Sequence, residues 1–249
     1  MKKIGLCLSG GGARGFAHLG VLQAFDELAI PIHELSGSSA GAFAAALYGQ
    51  GHKPEFILKE ITKRRLWNYV NFAPSRMGLL KLTKTEKILK ELIPHDSFEG
   101  LHKSLVVCAT NMSRGIPAYF TKGKLIETIL ASASIPLAFR PIIINGDKHY
   151  DGGISDNLPL APLKDSDLKI AVNVTPFEKR LPVRSMKDAV LKSVYISIDH
   201  QTREQSQLAD LVIIPEGIMK FDGFKLKHGE KLFETGYNTA IKVLKEFKF

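Results

Sequence analysis

A serine between two glycines, and an aspartate before two more, are the residues here with the most evident chemistry. The stretch from Leu35 to Ala46 reads LSGSSAGAFAAA. Gly37 and Gly41 bracket Ser39 as Gly-x-Ser-x-Gly, the spacing that holds a nucleophilic hydroxyl clear of the backbone on a sharp strand-to-helix turn. Larger neighbours would clash there. The helix that follows points its positive N-terminal end at the site, where it favours a developing anion. Ser38 is off that register, and Ser36 and Ser38 read as turn or capping hydroxyls. Taken alone, the stretch reads equally as a capped helix start packed on a sheet.

Two further glycine-rich loops frame it. Gly10-Gly11-Gly12-Ala13-Arg14-Gly15 lies between a strand-like and a helix-like segment. Such a loop turns tightly and lets backbone N–H groups approach a ligand closely. Gly10, Gly12 and Gly15 also satisfy the dinucleotide fingerprint, so a dinucleotide-binding oxidoreductase is the main rival reading. That rival needs an acid at the end of the second strand to hold a ribose. Glu34 is at roughly the right distance, but Ser-Gly-Ser-Ser follows it. The third loop is Asp151-Gly152-Gly153; alone, such a sequence is a turn. The alternating acids of a calcium loop are absent around it.

The elements that must position these residues alternate. KIGLCLSG and IHELSG read as strands, FAHLGVLQAFDEL and AGAFAAALYGQ as helices. PEFILKEITKRRL is helical with Pro54 near its start. Asn68 to Lys84 has no periodicity. TEKILKELI is a helix with Thr85 as its cap and Glu86 and Lys90 spaced as an ion pair. SLVVCAT is a strand that IPAYFTKGK can pair with, and KLIETILASAS is a helix ended by Pro136. PIIINGDKHY predicts two short strands about an Asn145-Gly146 turn. KIAVNV and DLVII are buried-strand runs, Met186 to Leu208 is helical, and a basic helix spans Glu230 to Lys248. The alternation predicts an α/β fold, a mainly parallel sheet with helices on both faces. No linker or repeat interrupts the chain, which predicts one domain over residues 1–249.

GGGARG with FAHLG, then GSSAG, then ASASIPLAF, then DGG with NLP, in that order, resembles the patatin-like phospholipase family. The resemblance runs from about Lys3 to Leu160, with a gap over residues 51–100 that reads as a lid or variable insertion. It implies a three-layer α/β/α fold and hydrolysis of lipid carboxylic esters, in a phospholipid, a lysophospholipid or another acyl ester. It further implies Ser39 as nucleophile and Asp151 as proton acceptor. The loop of Gly10, Gly11, Gly12 and Ala13 would supply the oxyanion hole, and Arg14 would either support the loop or meet a phosphate. No cofactor and no metal are implied. A lipid-sensing relative without turnover is the second rival.

A histidine triad is the remaining alternative. His200 and His228 follow Asp151, as the chain order of an α/β-hydrolase requires, but neither has motif company. Only 38 residues precede Ser39, fewer than that fold places there. His149 shares the face of Asp151 on an extended strand and His18 lies in the first helix; both read as structural.

Composition bounds the rest. Of the 249 residues, 45% are hydrophobic and 24% charged, which excludes a disordered chain. No apolar run is long enough to cross a bilayer, and IGLCL is too short for a secretory core. Cys7 and Cys108 sit in apolar runs and read as buried thiols, which points to the cytoplasm. A net charge of +9 favours an anionic partner. No nucleic-acid motif is present. Basic and aromatic residues mix over 62–82, with the sole tryptophan, Trp67, and over 219–231; each reads either as a peripheral contact with an anionic membrane or, for the first, as a lid or subunit contact and, for the second, as a solvated loop. The sequence leaves the oligomeric state open, a homo-oligomer included.

Overall fold

Short apolar runs bounded by glycine or polar residues form the strands, and the longer periodic stretches between them form helices. The computed structural model describes residues 2–63, 69–75, 77–176, 183–223 and 225–249. The first half runs β1 (Ile4–Leu8), a 3-10 turn over Gly12–Gly15, α1 (Phe16–Glu27), β2 (Glu34–Ser38), α2 (Ala40–Gly49) and α3 (Pro54–Thr62). There follow β3 (Asn71–Ser75), β4 (Gly78–Lys81), α4 (Thr83–Leu92), β5 (Ser104–Asn111), β6 (Ile116–Phe120) and α5 (Leu125–Ser132). The second half adds β7 (Ile142–Ile144), β8 (Asp147–Asp151), β9 (Leu168–Val172), α6 (Met186–Ser206), β10 (Leu211–Ile213) and α7 (Gly229–Glu246).

The sheet order is β10-β9-β1-β2-β5-β8-β7, with β6 also on β5. The five strands from β10 to β5 are parallel; β6, β7 and β8 are antiparallel. The predicted mainly parallel sheet is therefore present, with an antiparallel end. Side chains alternate across it. Leu6, Leu8, Ile170 and Val172 face the large core under α1, α2, α5 and α7. Cys7 and Ala171 face a smaller cluster with Leu158, Leu160 and Leu163. The C-terminal half of α6 docks over that second face. Asn157 Nδ2 reaches Thr202 Oγ1 at 3.5 Å, and Ala161 N–H donates to Gln205 Oε1 at 3.1 Å. Both cysteines are buried and free.

One edge of β5 is shared by two strands, and this arrangement places the site. Cys108 pairs with both Ser38 of β2 and Tyr119 of β6, while Ala109 pairs with both Ala118 of β6 and Asp151 of β8. A strand has two edges, so β6 occupies one of them. On the other, β2 ends at Cys108 and β8 begins at Ala109. The backbone pairing thus sets Asp151 next to the point where the chain leaves β2 for Ser39.

Three local expectations change. Asn68 to Lys84 holds the β3–β4 hairpin, with a register shift between Phe72 and Ser75 that accommodates Pro74. Thr85 does not cap α4: Leu82 is the N-cap, and Thr85 Oγ1 donates to Tyr69 O at 2.7 Å. The Glu86–Lys90 pair does form, at 2.6 Å. Helix α5 stops at Ser132, four residues before Pro136, and Ser134 O accepts from Asp151 N–H at 2.9 Å. Asn145 and Gly146 take φ of 52° and 83°, the predicted hairpin turn.

Candidate active site

Ser39 lies at the N-terminus of α2 with φ 50° and ψ −119°. A non-glycine residue in that region is strained by about 1–3 kcal/mol. The strain is held in place by the surroundings. Ser39 N–H donates to Ser132 Oγ at 2.8 Å, and Ser132 Oγ donates to Cys108 O at 2.6 Å. Behind the turn, a Cβ on Gly41 would lie 2.1 Å from Leu8 O, so α2 approaches β1 as closely as backbone allows. The crowd of small residues around the hydroxyl has this packing as its cause.

Ser39 Oγ donates to Asp151 Oδ2 at 2.6 Å across 112 positions of sequence. The second carboxylate oxygen accepts from Gly153 N–H at 2.8 Å, which fixes its plane. The Asp151 carbonyl accepts from Thr110 Oγ1 at 2.7 Å. Burial pushes the Asp151 carboxyl up to about 6, against the hydrogen bonds from Ser39 and Gly153 that lower it. The group is therefore ionised at neutral pH yet basic enough to take a proton.

The glycine loop faces this pair, and its four N–H groups are not equivalent. Gly10 N–H donates to Asn157 O at 3.1 Å and Ala13 N–H to Gly223 O at 2.7 Å. Both N–H groups are engaged in these backbone contacts. Among the described residues no acceptor is assigned to Gly11 or Gly12 N–H. Gly12 takes φ +56° and lines the same cavity as Ser39. A Cβ there would meet Gly223 O at 2.3 Å. Arg14 is buried, and its Nε donates to Phe221 O at 2.9 Å. Of its two expected roles, this contact is loop support. Sequence reading did not reach this strap over residues 221–223, because its contacts are backbone carbonyls some 207 positions away. Ser132 was also missed, although ASASIPLAF was singled out.

The histidines stand apart. His18 Nε2 donates to Ser9 O at 2.8 Å, and burial holds its pKa down at about 4, so it is a neutral brace under the glycine loop. His149 Nδ1 contacts Asp147 O at 3.1 Å and its ring meets Phe120 edge-on. His200 lies near Glu204 and His228 against Phe221. Among the described residues no histidine hydrogen-bonds to Ser39 or Asp151. Glu34 sits at the start of β2, the end away from the glycine loop, and accepts from Ser166 Oγ at 3.0 Å. It cannot hold a ribose at that loop, which removes the main support for the dinucleotide rival.

Above Ser39 opens a cavity of about 240 Å³ with an almost wholly apolar lining. α2 supplies Phe43 and Ala44, and the segment after α5 supplies Ile135 and Phe139. Residues 51–100 supply Ile57, Ile61, Tyr69, Val70 and Leu82, so that stretch walls the site. Of the two expected membrane segments, 219–231 turns Met219, Phe221 and Leu226 onto the core. Trp67, in the other, lies outside the described residues. No helix among the described residues is long and apolar enough to cross a membrane.

A family model described as patatin-like phospholipase matches residues 6–164. An uncharacterised NTE-family protein of Mycobacterium tuberculosis is 33% identical over 180 residues, 71% of this chain and 50% of its own length. Lysophospholipase NTE1 of Kluyveromyces lactis is 30% identical over 198 residues, 73% of this chain and 13% of its own. The chain thus spans half or less of the length of these relatives. Among solved structures, VipD from Legionella pneumophila superposes with a TM-score of 0.56 at 16% identity, covering 98% of this chain and 67% of that one. That likeness is one of fold.

Proposed function

Because the chain belongs to the patatin-like phospholipase family, we propose that it hydrolyses lipid carboxylic esters through a Ser39–Asp151 dyad. The observation that carries the reading is the 2.6 Å contact between Ser39 Oγ and Asp151 Oδ2 beneath an apolar cavity. Asp151 takes the hydroxyl proton as Ser39 Oγ attacks the ester carbonyl. The carbonyl oxygen becomes an oxyanion, bound by the N–H groups of Gly11 and Gly12. One such donor contributes about 3 kcal/mol in the transition state. The C–O bond to the alcohol then breaks, and Asp151 gives its proton to the departing oxygen. Water attacks the acyl-enzyme, passing a proton to Asp151, and collapse of the second tetrahedral species returns that proton to Ser39 Oγ. A carboxylate is a weaker base than imidazole, and its buried, raised pKa offsets part of that deficit.

The acyl chain lies in the cavity, and the substrate is a phospholipid or lysophospholipid, in keeping with the name of the yeast relative. Mass spectrometry after a fluorophosphonate probe tests the assignment: the adduct is expected on Ser39 and absent from Asp151→Asn protein. Labelling elsewhere, or none in protein that melts cooperatively, refutes the dyad.

A further inference from the structure

Gly10 and Gly153 are glycines without a conformational reason. Neither takes the positive φ that Gly12 takes, so the backbone alone would admit a side chain at either. What forbids one is space. A Cβ on Gly10 would stand 2.5 Å from Asn157 Oδ1, and a Cβ on Gly153 would stand 2.9 Å from the same oxygen. Gly10 opens the glycine-rich loop, and Gly153 holds Asp151 Oδ1 through its N–H at 2.8 Å. The amide of Asn157 is thus wedged between the two loops on which the proposed chemistry depends.

The wedge is itself fixed. Asn157 is buried, and its backbone carbonyl accepts from Gly10 N–H at 3.1 Å. Its Nδ2 donates to Thr175 Oγ1 at 3.0 Å and reaches Thr202 Oγ1 at 3.5 Å. Thr202 Oγ1 gives its own proton to Ile198 O at 2.7 Å, so toward the amide it acts as acceptor. This orients the amide, with nitrogen toward the two threonines and oxygen toward the two glycines. Thr175 follows β9 and Thr202 lies on α6, so the brace comes from outside both loops. The lack of charge on the amide matters as much as its shape. Asn157 Oδ1 and Asp151 Oδ1 both lie within 3.0 Å of one point, the site of a Gly153 Cβ, and so no more than twice that distance apart. Burial and the hydrogen bonds from Ser39 and Gly153 set the Asp151 carboxyl, with no neighbouring charge. A carboxylate at position 157 would oppose its ionisation.

We propose that Asn157 is a positioning residue, an uncharged spacer that sets the Gly11 and Gly12 amides at a fixed distance from the Ser39–Asp151 pair. This role rests on the proposed dyad; the packing of the amide against the two glycines does not.

The packing is tested without turnover. Gly10→Ala is expected to lower the melting midpoint, and to lower it less than about half as much in Asn157→Ala protein, where the methyl takes the vacated space. Equal losses in the two backgrounds overturn the wedge. The role is tested on a soluble ester. Asn157→Ala is expected to lower kcat at least about tenfold with KM little changed. Asn157→Asp keeps the shape and adds a charge, so the rise of kcat/KM with pH is expected to move upward by about one pH unit or more. A merely structural residue would leave that midpoint in place. Unchanged kcat in folded Asn157→Ala protein, or an unmoved midpoint in folded Asn157→Asp protein, overturns the proposal. Thermal melting checks folding, and if either variant at 157 does not fold, the other decides. Should Ser39→Ala protein keep its activity, the dyad reading fails while the melting comparison still stands.

Discussion

Ser132 Oγ accepts the backbone N–H of Ser39 at 2.8 Å, and so holds the strained turn on which that hydroxyl stands. Ser132→Ala would leave a buried amide unpaired, at a cost of about 1–3 kcal/mol. The expected outcome is a fall in kcat of about ten- to a hundredfold on a soluble ester with KM little changed. Ser132→Thr keeps the acceptor and recovers most of the rate. If kcat stays unchanged in the alanine protein, the turn is held by other contacts.

Ser39→Ala and Asp151→Asn each remove one half of the proposed dyad. Soluble-ester hydrolysis is expected to drop by at least about 10³-fold in either, with the melting transition intact. Combining both should cost little more than one alone, because the two act as a unit. Independent, multiplying losses would contradict that.

The raised carboxyl sets a pH dependence. Asp151 must be ionised to accept a proton, so kcat/KM is expected to rise with pH through about 6 and level above it. Stability runs the other way. The folded carboxyl holds its proton up to about 6, whereas the unfolded one releases it near the ordinary aspartate value of 3.8. Between those values the folded state binds more protons, so stability falls as pH rises across the window, by on the order of 3 kcal/mol in total. Denaturant melts of the unaltered and Asp151→Asn proteins across this range check the sign: the unaltered protein should lose stability relative to the variant as pH rises.

Gly12→Ala tests the oxyanion role proposed for its loop. The residue combines φ +56° with a Cβ position 2.3 Å from Gly223 O, so either the loop or the 221–223 strap must shift. We expect at least about a hundredfold loss of kcat, the size associated with misplacing one donor. Full activity would place the oxyanion elsewhere.

Ala44 lines the cavity on α2. Ala44→Phe should narrow it and shift preference toward short acyl chains: hydrolysis of a butyrate ester retained, that of a decanoate ester reduced about tenfold or more. Equal loss on both would show that this wall does not meet the acyl chain.

What could be read from the sequence follows the kind of interaction involved. The glycine spacing around Ser39 and the strand-helix alternation are local, and they appear in the structure as expected. The pairing of Ser39 with Asp151 came from the order of motifs, because spacing says nothing about a contact across 112 positions. Gly10 and Ala13 were indistinguishable from Gly11 and Gly12, since what separates them is the carbonyls of Asn157 and Gly223. Thr85 had a capping sequence, but its hydroxyl found Tyr69 O first. The β3–β4 hairpin has no readable periodicity because Phe72 pairs with Leu80 on one face while Leu79 lies on the other, and alternation fails where both sides are apolar.

The edge of β5 shared by β2 and β8 makes Ser39 reactivity a clock for refolding. Two distant parts of the chain must find adjacent rungs of a strand that lies between them in sequence, and such non-local pairing is slow. During refolding, helix signal should return before the serine can be labelled by a phosphonate. The lag between the two would time the seating of β8.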